Sequence, residues 1–551
     1  MEFTRYPQFD WMHETVPQKH AGLGLNNKVS FWPRGKVLGG SSTLNFMLYL
    51  RGHPKDYDNW AKITNDSEWN YENVLPYFKK SLKTYNGKYK LNKKHYTESP
   101  DGFLNVEKTG YSAFLKEFID AGKELGYPEI DANGPQTEGF GPLEVTQLNS
   151  ERYGTYAAII KQLYYRDSVK ILTYAQAVKI KLDKAGRAIG VYYHRHGERK
   201  YAGAKKEIII SAGSVDSPKL LMLSGIGPRN HLKAVGIKPE IDLPVGQNLE
   251  DHLVTSIEPF TAETDGVFAS LDKEFGPGYI KDYIFHRKGL LTVAAGTVAQ
   301  GFLCSENILN NNSKKCEWPD LQVYFSPFSY FRMVNSMVGR AMNFNQELLE
   351  EINPPTEKEG FHFLVSVVRP SSKGEITLKS NDPFALPIIN PKYLEDPKDL
   401  VRMLQGLKLL LKIAENTTSF QQIGAKYTGS PIPGCKNLEF RSDDYWKCYL
   451  RQLSVTMWHP TGTCKMGPGS SDKTAVVDSK LRVLHTRGLR VADASIMPSI
   501  VNANTNAPSI MIGEKAAAFI LQYWADQSLV SNKFAHYLLY QNIYKCFYLK
   551  V

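Results

Sequence analysis

His459 is the side chain in this sequence most suited to taking a proton. It sits in Trp458-His459-Pro460-Thr461-Gly462-Thr463-Cys464-Lys465-Met466-Gly467, where the following proline pushes it out of the helical region and onto a loop. An imidazole with an unperturbed pKa of about 6.5 can act as a base near neutral pH. A lone histidine is more often a structural residue. Cys464 lies nearby, but its small, turn-rich surroundings offer no triad. A second polar cluster, Asn502-Ala503-Asn504-Thr505-Asn506-Ala507-Pro508, opens the last helical stretch. Its asparagines can cap that helix or offer hydrogen bonds to a bound ring and a substrate.

Two glycine-rich stretches have the composition of cofactor turns. Gly35 to Asn45 packs three glycines and two serines into one turn. Glycine allows left-handed backbone and close approach, so exposed N–H groups can line a cofactor there. The second stretch follows Glu207-Ile208-Ile209-Ile210-Ser211, a short apolar run with the pattern of a strand buried on both faces. That run stops at Ala212-Gly213, and a helix is predicted from about Ser217 to Ser224, with Pro218 in its first turn and Gly225 at its cap. A helix that starts just after a buried strand turns its positive end toward the crevice of an α/β sheet. Taken singly, a tight turn and an ordinary capped helix account for the same residues.

Four elements occur in a fixed order. They are Gly35-Lys36 with Leu38-Gly39-Gly40-Ser41-Ser42 and Leu44-Asn45, the Gly213 to Gly227 stretch, His459-Pro460 with Gly462-Thr463-Cys464, and Asn504-Thr505-Asn506-Ala507-Pro508. Together they resemble the glucose–methanol–choline (GMC) family of FAD-dependent oxidoreductases, over roughly residues 10 to 525. Phrases such as Trp32-Pro33-Arg34-Gly35-Lys36 look most like its arthropod glucose dehydrogenase branch. The resemblance implies hydride transfer from a CH–OH group of an alcohol or sugar to flavin N5, with quinone or oxygen as acceptor.

By the same resemblance His459 is the base, and Asn504 hydrogen-bonds the same substrate oxygen. An asparagine can hold a developing alkoxide but cannot share the proton, so the base role falls on His459 alone. Gly39, Gly40, Ser42 and Asn45 match the isoalloxazine contacts, Asn506 a further cofactor contact, and Asp493 the acid near the ribityl chain. Val178 and Ala212 match adenine-side contacts. Leu44 stands where some members carry a histidine bonded to the flavin, which implies non-covalent FAD.

One departure from the family is large. The family opens with a strand, Gly-x-Gly-x-x-Gly and a helix, followed by a strand ending in an acid; the glycines cradle the pyrophosphate. Ala21-Gly22-Leu23-Gly24 has neither the preceding strand nor the right continuation. About eighty residues of the family pattern, including the central strand of the sheet, are therefore expected to be absent ahead of Gly35. Two other readings accompany the oxidoreductase: a lyase on the same scaffold, and a truncated product unable to hold FAD.

The elements that must position these groups point to an α/β fold. The expectation is a discontinuous FAD/NAD(P)-binding-like domain, incomplete at its N-terminus, with an inserted α+β mixed-sheet substrate domain. Residues 1–258 form the first part, with peripheral helices within 56–150 such as Tyr71 to Lys80 and Tyr111 to Leu125. Alternating residues from Val169 to Asp183 and from Ile189 to Tyr193 predict neighbouring strands that turn at Gly186. Residues 259–474 form the inserted part, with strands Phe361 to Val368 and Glu375 to Leu378 and an amphipathic helix Leu400 to Glu415. Residues 475–525 return to the first domain through the strand Gly488 to Asp493 and a helix Ala507 to Trp524, and 526–551 is an atypical tail.

Composition adds exclusions rather than assignments. The chain has 551 residues and a formal net charge of +11, a mild excess at this length, so two domains are expected and nucleic acid is set aside as a partner. The one basic concentration, Lys88, Lys90, Lys93, Lys94 and His95, is read as a solvated loop. No run of eighteen apolar residues predicts a membrane span. The six cysteines show no CxxC pair and no metal-ligand spacing, so no metal is expected; Cys304 and Cys316 are a candidate disulfide pair. With sequons at Asn65, Asn311 and Asn416, the compartment stays open, extracellular included.

Overall fold

The computed structural model of the protein describes residues 5–264, 276–293, 296–310, 317–327, 339–352 and 360–547. Its principal strands are β1 (Gly139–Pro142), β2 (Ala175–Leu182), β3 (Ala188–Arg195), β4 (Glu198–Gly203), β5 (Ile208–Ile210) and β6 (Leu253–Thr261). They continue with β7 (Ala299–Leu303), β8 (Leu321–Ser326), β9 (Gly360–Val367), β10 (Lys426–Tyr427), β11 (Val455–Thr456) and β12 (Leu489–Val491). The helices that bear on the site are α1 (Pro54–Thr64), α2 (Tyr71–Ser81), α3 (Leu115–Glu124), α4 (Gly213–Leu223), α5 (Pro397–Asn416), α6 (Asp443–Leu453) and α7 (Asn506–Phe547).

The largest sheet has seven strands in the order β10-β6-β9-β8-β7-β1, with β11 also paired to β6. Every pairing in it is antiparallel, and β1 is recruited from a segment well before the inserted region. Side chains alternate across a strand, and here the alternation divides two jobs. Val323, Phe325, Phe363 and Val365 turn to an aromatic core with Phe118, Phe260, Phe361 and Phe420. The intervening Tyr324 and Leu364, with Val254, Ser256 and Glu258 on β6, line a cavity on the opposite face. A register shift between Ile257 and Phe260 lets Phe260 join the core despite its even number.

Helix α5 covers the core face. Asp396 caps it through the N–H of Lys398, Pro397 occupies the first turn, and Leu400, Met403, Leu404, Leu407, Leu411 and Ala414 form one buried stripe. The disulfide Cys435–Cys448 ties α6 to the loop before it, a pair that sequence spacing did not single out. Cys304 is also in a disulfide, while Cys316 and Asn311 lie outside the described residues. Asn65 and Asn416 are both exposed.

On the other side of the cavity β5 and β12 pair in parallel as a sheet of two strands among the described residues. The expected burial of β5 on both faces does not hold. Ile210 is buried, but Ile209 is 42% exposed because no described layer covers its side of the pair. Strands β2 and β3 fall where alternation predicted them, and β4 joins them as a third. All six residues of β4 are exposed, so it carries no apolar period to read.

Helix α4 starts at Gly213, earlier than expected, which puts Pro218 inside it rather than in its first turn. Proline has no N–H to give the carbonyl four residues back. The Thr463 hydroxyl donates to that carbonyl, Ser214 O, at 2.6 Å instead. Gly225, at φ +85°, ends the helix as the sequence implied. Helix α7 runs on through Phe547, so most of the presumed tail is continuous with it. The lysines of the basic stretch are exposed, but His95 is buried, and its carbonyl accepts from Arg51 Nη1 at 2.7 Å. No helix among the described residues is long and apolar enough to cross a membrane.

A second core holds α1, α2 and α7 together through Tyr57, Trp60, Trp69, Phe78 and Phe519. At its edge the buried Asp56 carboxylate accepts from His53 N (2.8 Å), Asn502 N (2.7 Å) and Trp318 Nε1 (2.8 Å). One side chain thus joins the start of α1, the loop before α7 and the approach to β8. Burial pushes its pKa up to about 7. Replacing Asp56 by Ala leaves three donors without their acceptor, and we expect a loss on the order of 3 kcal/mol or more. Urea unfolding followed by tryptophan fluorescence measures it, and an unchanged midpoint would remove Asp56 from this role.

Candidate active site

The cavity has a volume of about 630 Å³, within the range of a cofactor and substrate pocket. His459, Asn504, Gly39, Gly40, Ser42, Asn45, Ala212, Asp493 and Asn506 all line it. Val178 does not; it lines a separate cleft of about 1320 Å³ beside β2.

The first glycine turn is built by its own hydroxyls. Gly39 (φ +88°) and Gly40 (φ +56°) take left-handed backbone, and Ser42 Oγ donates to Gly39 O at 2.8 Å. Thr155 closes the turn from outside: its N–H donates to Ser42 Oγ at 3.0 Å and its hydroxyl to Gly39 O at 3.1 Å. Arg152 Nη1 reaches Asn45 Oδ1 at 2.9 Å and Ser42 O at 3.2 Å. Gly40 and Gly213 (φ +82°) have open space where a Cβ would stand, and both line the cavity.

The second glycine segment is tied down by Asp493, at the end of β12. One carboxylate oxygen accepts from Gly213 N (2.9 Å) and Ser217 Oγ (2.5 Å), and the other from Ser495 N (2.8 Å). The negative charge therefore sits at the positive end of α4. The adjacent Ser214 Oγ is buried, has no partner and belongs to the cavity wall.

His459 is gripped at its backbone and at both ring nitrogens. The residue before it, Trp458, has φ +60°, a conformation that side-chain-bearing residues rarely adopt. It is held there by Trp458 Nε1 donating to Phe31 O (2.9 Å) and by Arg34 Nη2 donating to Trp458 O (2.6 Å). His459 N donates to Asp251 Oδ1 at 2.8 Å. Its Nδ1 lies 3.0 Å from His252 Nδ1, and its Nε2 lies 3.2 Å from Asn504 Nδ2. Asn504 Oδ1 accepts in turn from Tyr324 OH at 3.4 Å. Burial first, then the nearby His252 and Arg34, hold the His459 pKa well below the usual histidine range.

Sequence reasoning missed the group that does much of this gripping. Glu250, Asp251 and His252 are consecutive and all buried. Glu250 Oε2 accepts from Ile500 N at 2.8 Å, Asp251 takes the backbone of His459, and His252 meets its ring. The available signal was two acids and a histidine leading directly into an apolar strand, since buried charge there demands partners. Tyr324 and Glu258 were also missed. Glu258 Oε2 is buried without a partner, and burial pushes the Glu258 pKa up to about 7.

This chain belongs to the GMC oxidoreductase family, whose two domain families match residues 14–254 and 370–513. It is 36% identical over 521 residues to an uncharacterised GMC-type oxidoreductase of Mycobacterium tuberculosis, covering 93% of this chain and 89% of that protein. It is 34% identical over 519 residues to the glucose dehydrogenase (FAD, quinone) of Drosophila melanogaster, covering 94% and 78%. It is 35% identical over 517 residues to the oxygen-dependent choline dehydrogenase of Rhizobium etli, covering 93% and 86%. Among solved structures, a formate oxidase superposes with a TM-score of 0.79 at 24% identity, covering 95% of this chain and 90% of that one. The chain is thus an FAD-dependent oxidoreductase acting on CH–OH donors.

The cavity fits the ring end of FAD. Open space at Gly40 and Gly213 admits a flat group against bare backbone, and Ser214 Oγ offers an unused hydrogen bond. Leu44 in the wall has no atom that could bond covalently to a flavin.

Burial holds the His459 pKa well below the usual histidine range, so the ring is neutral near pH 7 and keeps one unprotonated nitrogen. Glu258, by contrast, changes charge near 7 inside the same cavity. We therefore expect the rate of flavin reduction to show no inflection from His459 near the ordinary histidine pKa of about 6.5. The pH dependence of KM should carry one near 7 that Glu258→Gln abolishes. A rate inflection between about 6 and 7 that survives Glu258→Gln would mean that His459 titrates normally.

Proposed function

We propose that the protein oxidises a small alcohol or sugar, with His459 as the base that takes the hydroxyl proton and Asn504 as the donor that steadies the oxygen. The observation that carries this reading is the meeting of two side chains from separate loops, 3.2 Å apart, on the wall of the glycine-lined cavity. A substrate hydroxyl would replace this direct contact, donating to His459 Nε2 and accepting from Asn504 Nδ2. That arrangement supports charge developing on oxygen without asking Asn504 to carry a proton. The residues assigned to FAD are Gly39, Gly40, Ser42 and Asn45 at the ring, Asp493 and Asn506 beyond it, and Ala212 and Val178 toward the adenine. When bound, FAD supplies the hydride acceptor.

We assign residues 1–258 and 475–525 to the cofactor side and 259–474 to the substrate side, with β1 and the start of β6 crossing that division. The final electron acceptor is proposed as a quinone or oxygen; one relative is named for each.

The test is anaerobic mixing of the flavin-loaded protein with D-glucose, choline and benzyl alcohol, followed by flavin absorbance. Reduction by at least one is expected, and no reduction by any of the three would overturn the reading. His459→Ala should slow reduction by roughly 10²- to 10⁴-fold with FAD content unchanged. Asn504→Ala should slow it by roughly 10²- to 10³-fold, the usual loss for one donor at a developing oxyanion. Loss of FAD in step with activity would instead make either residue structural.

A further inference from the structure

We propose that His252 is a positioning residue that fixes the tautomer of His459, keeping the proton on Nδ1 and leaving Nε2 bare toward the cavity. The inference rests on His459 being the base.

The argument follows from hydrogen-bond direction. His252 Nε2 lies 3.2 Å from the carbonyl oxygen of Val368. A carbonyl only accepts, so Nε2 of His252 must carry its proton, and in a neutral imidazole the other nitrogen is then bare. That bare Nδ1 faces His459 Nδ1 at 3.0 Å, so His459 must donate from Nδ1. The remaining nitrogen of His459, Nε2, is left as an acceptor, and it meets the amide donor of Asn504 at 3.2 Å. Asn504 is oriented in the same sense, because its Oδ1 accepts from Tyr324 OH. The chain Tyr324, Asn504, His459, His252, Val368 therefore runs in one direction throughout. The opposite tautomer of His459 would set two lone pairs against each other at 3.0 Å and aim an N–H at the Asn504 amide.

His252 is not a second base. It is 1% exposed and absent from the cavity wall, and burial pushes its pKa down to about 3. It orients the neighbouring ring without taking its proton, as the outer partner of a catalytic or metal-bound histidine commonly does. Asp251 and Glu250 hold backbone; only His252 of the three touches the ring.

The direct test is ¹⁵N NMR of the histidine-labelled, flavin-loaded protein, which reads each imidazole nitrogen as protonated or bare. Wild type should show His459 protonated on Nδ1; protonation on Nε2 would overturn the proposal without any variant. His252→Asn keeps an acceptor oxygen where Nδ1 stood and should preserve both tautomer and flavin reduction within a few-fold. His252→Leu removes the acceptor and should mix the tautomers. It should also lower kcat on the order of 10- to 100-fold at little-changed KM and FAD content, the usual scale for an orienting partner. A Leu variant with wild-type tautomer and rate would sink the idea, as would an Asn variant that falls as far as Leu. If none of D-glucose, choline or benzyl alcohol reduces wild-type flavin, the base assignment fails while the tautomer measurement still decides the role of His252.

Discussion

Burial of the segment Glu250-Asp251-His252 is the constraint on which the catalytic geometry depends. Three polar groups taken out of water must each find a partner, because an unpaired buried charge or hydrogen-bonding group costs free energy comparable to a lost interaction. Among the partners they find are the two loops that carry the site. Glu250 reaches the loop ahead of Asn504, Asp251 the backbone of His459, and His252 the His459 ring. A single short stretch of chain thus ties the His459 loop to the loop ahead of Asn504. Asp56 reinforces it from the far side by holding Asn502 N.

The large sheet makes this possible by presenting two different faces. One is closed by aromatic side chains and α5, which fixes the strands against one another. The other carries Tyr324, Leu364, Ser256 and Glu258 into the cavity. Because the side-chain period of a strand is two, the same residues that must be rigid for packing hold their neighbours rigid for chemistry. The cofactor side is held differently. There the glycine turns have few side chains to pack, and they are fixed by hydroxyl and carboxylate hydrogen bonds from Ser42, Thr155 and Asp493.

What the sequence made legible were features whose cause is local. Glycines at left-handed positions, a histidine before proline and an apolar stripe of helical period each declare themselves within a dozen residues. The roles of the proposed site residues came from the family resemblance that such patterns carry, and all but Val178 line one cavity. Groups whose role comes from a distant partner stayed hidden. His252 lies 207 residues before His459, and Tyr324 lies 180 before Asn504. Helix α4 was misjudged for the same reason. Its start looks wrong for a proline at 218 until the Thr463 hydroxyl, 249 residues from Ser214, supplies the missing donor. The exposed Ile209 shows the converse, an apolar run that reads as buried only if both its faces are covered.

Burial gives these pieces their common logic. Removing water lowers the pKa of His459 and His252 and raises those of Asp251 and Glu258, because each loses solvation of its charged form. Two neutral imidazoles in contact can then share one hydrogen bond of fixed direction, whereas a charged pair would repel. The Arg34 guanidinium deepens the effect, since it stands close enough to oppose a proton on His459 while its own hydrogen bond holds Trp458 in place. The same burial that makes His459 a reluctant cation also makes its orientation depend on His252, the partner that its Nδ1 meets.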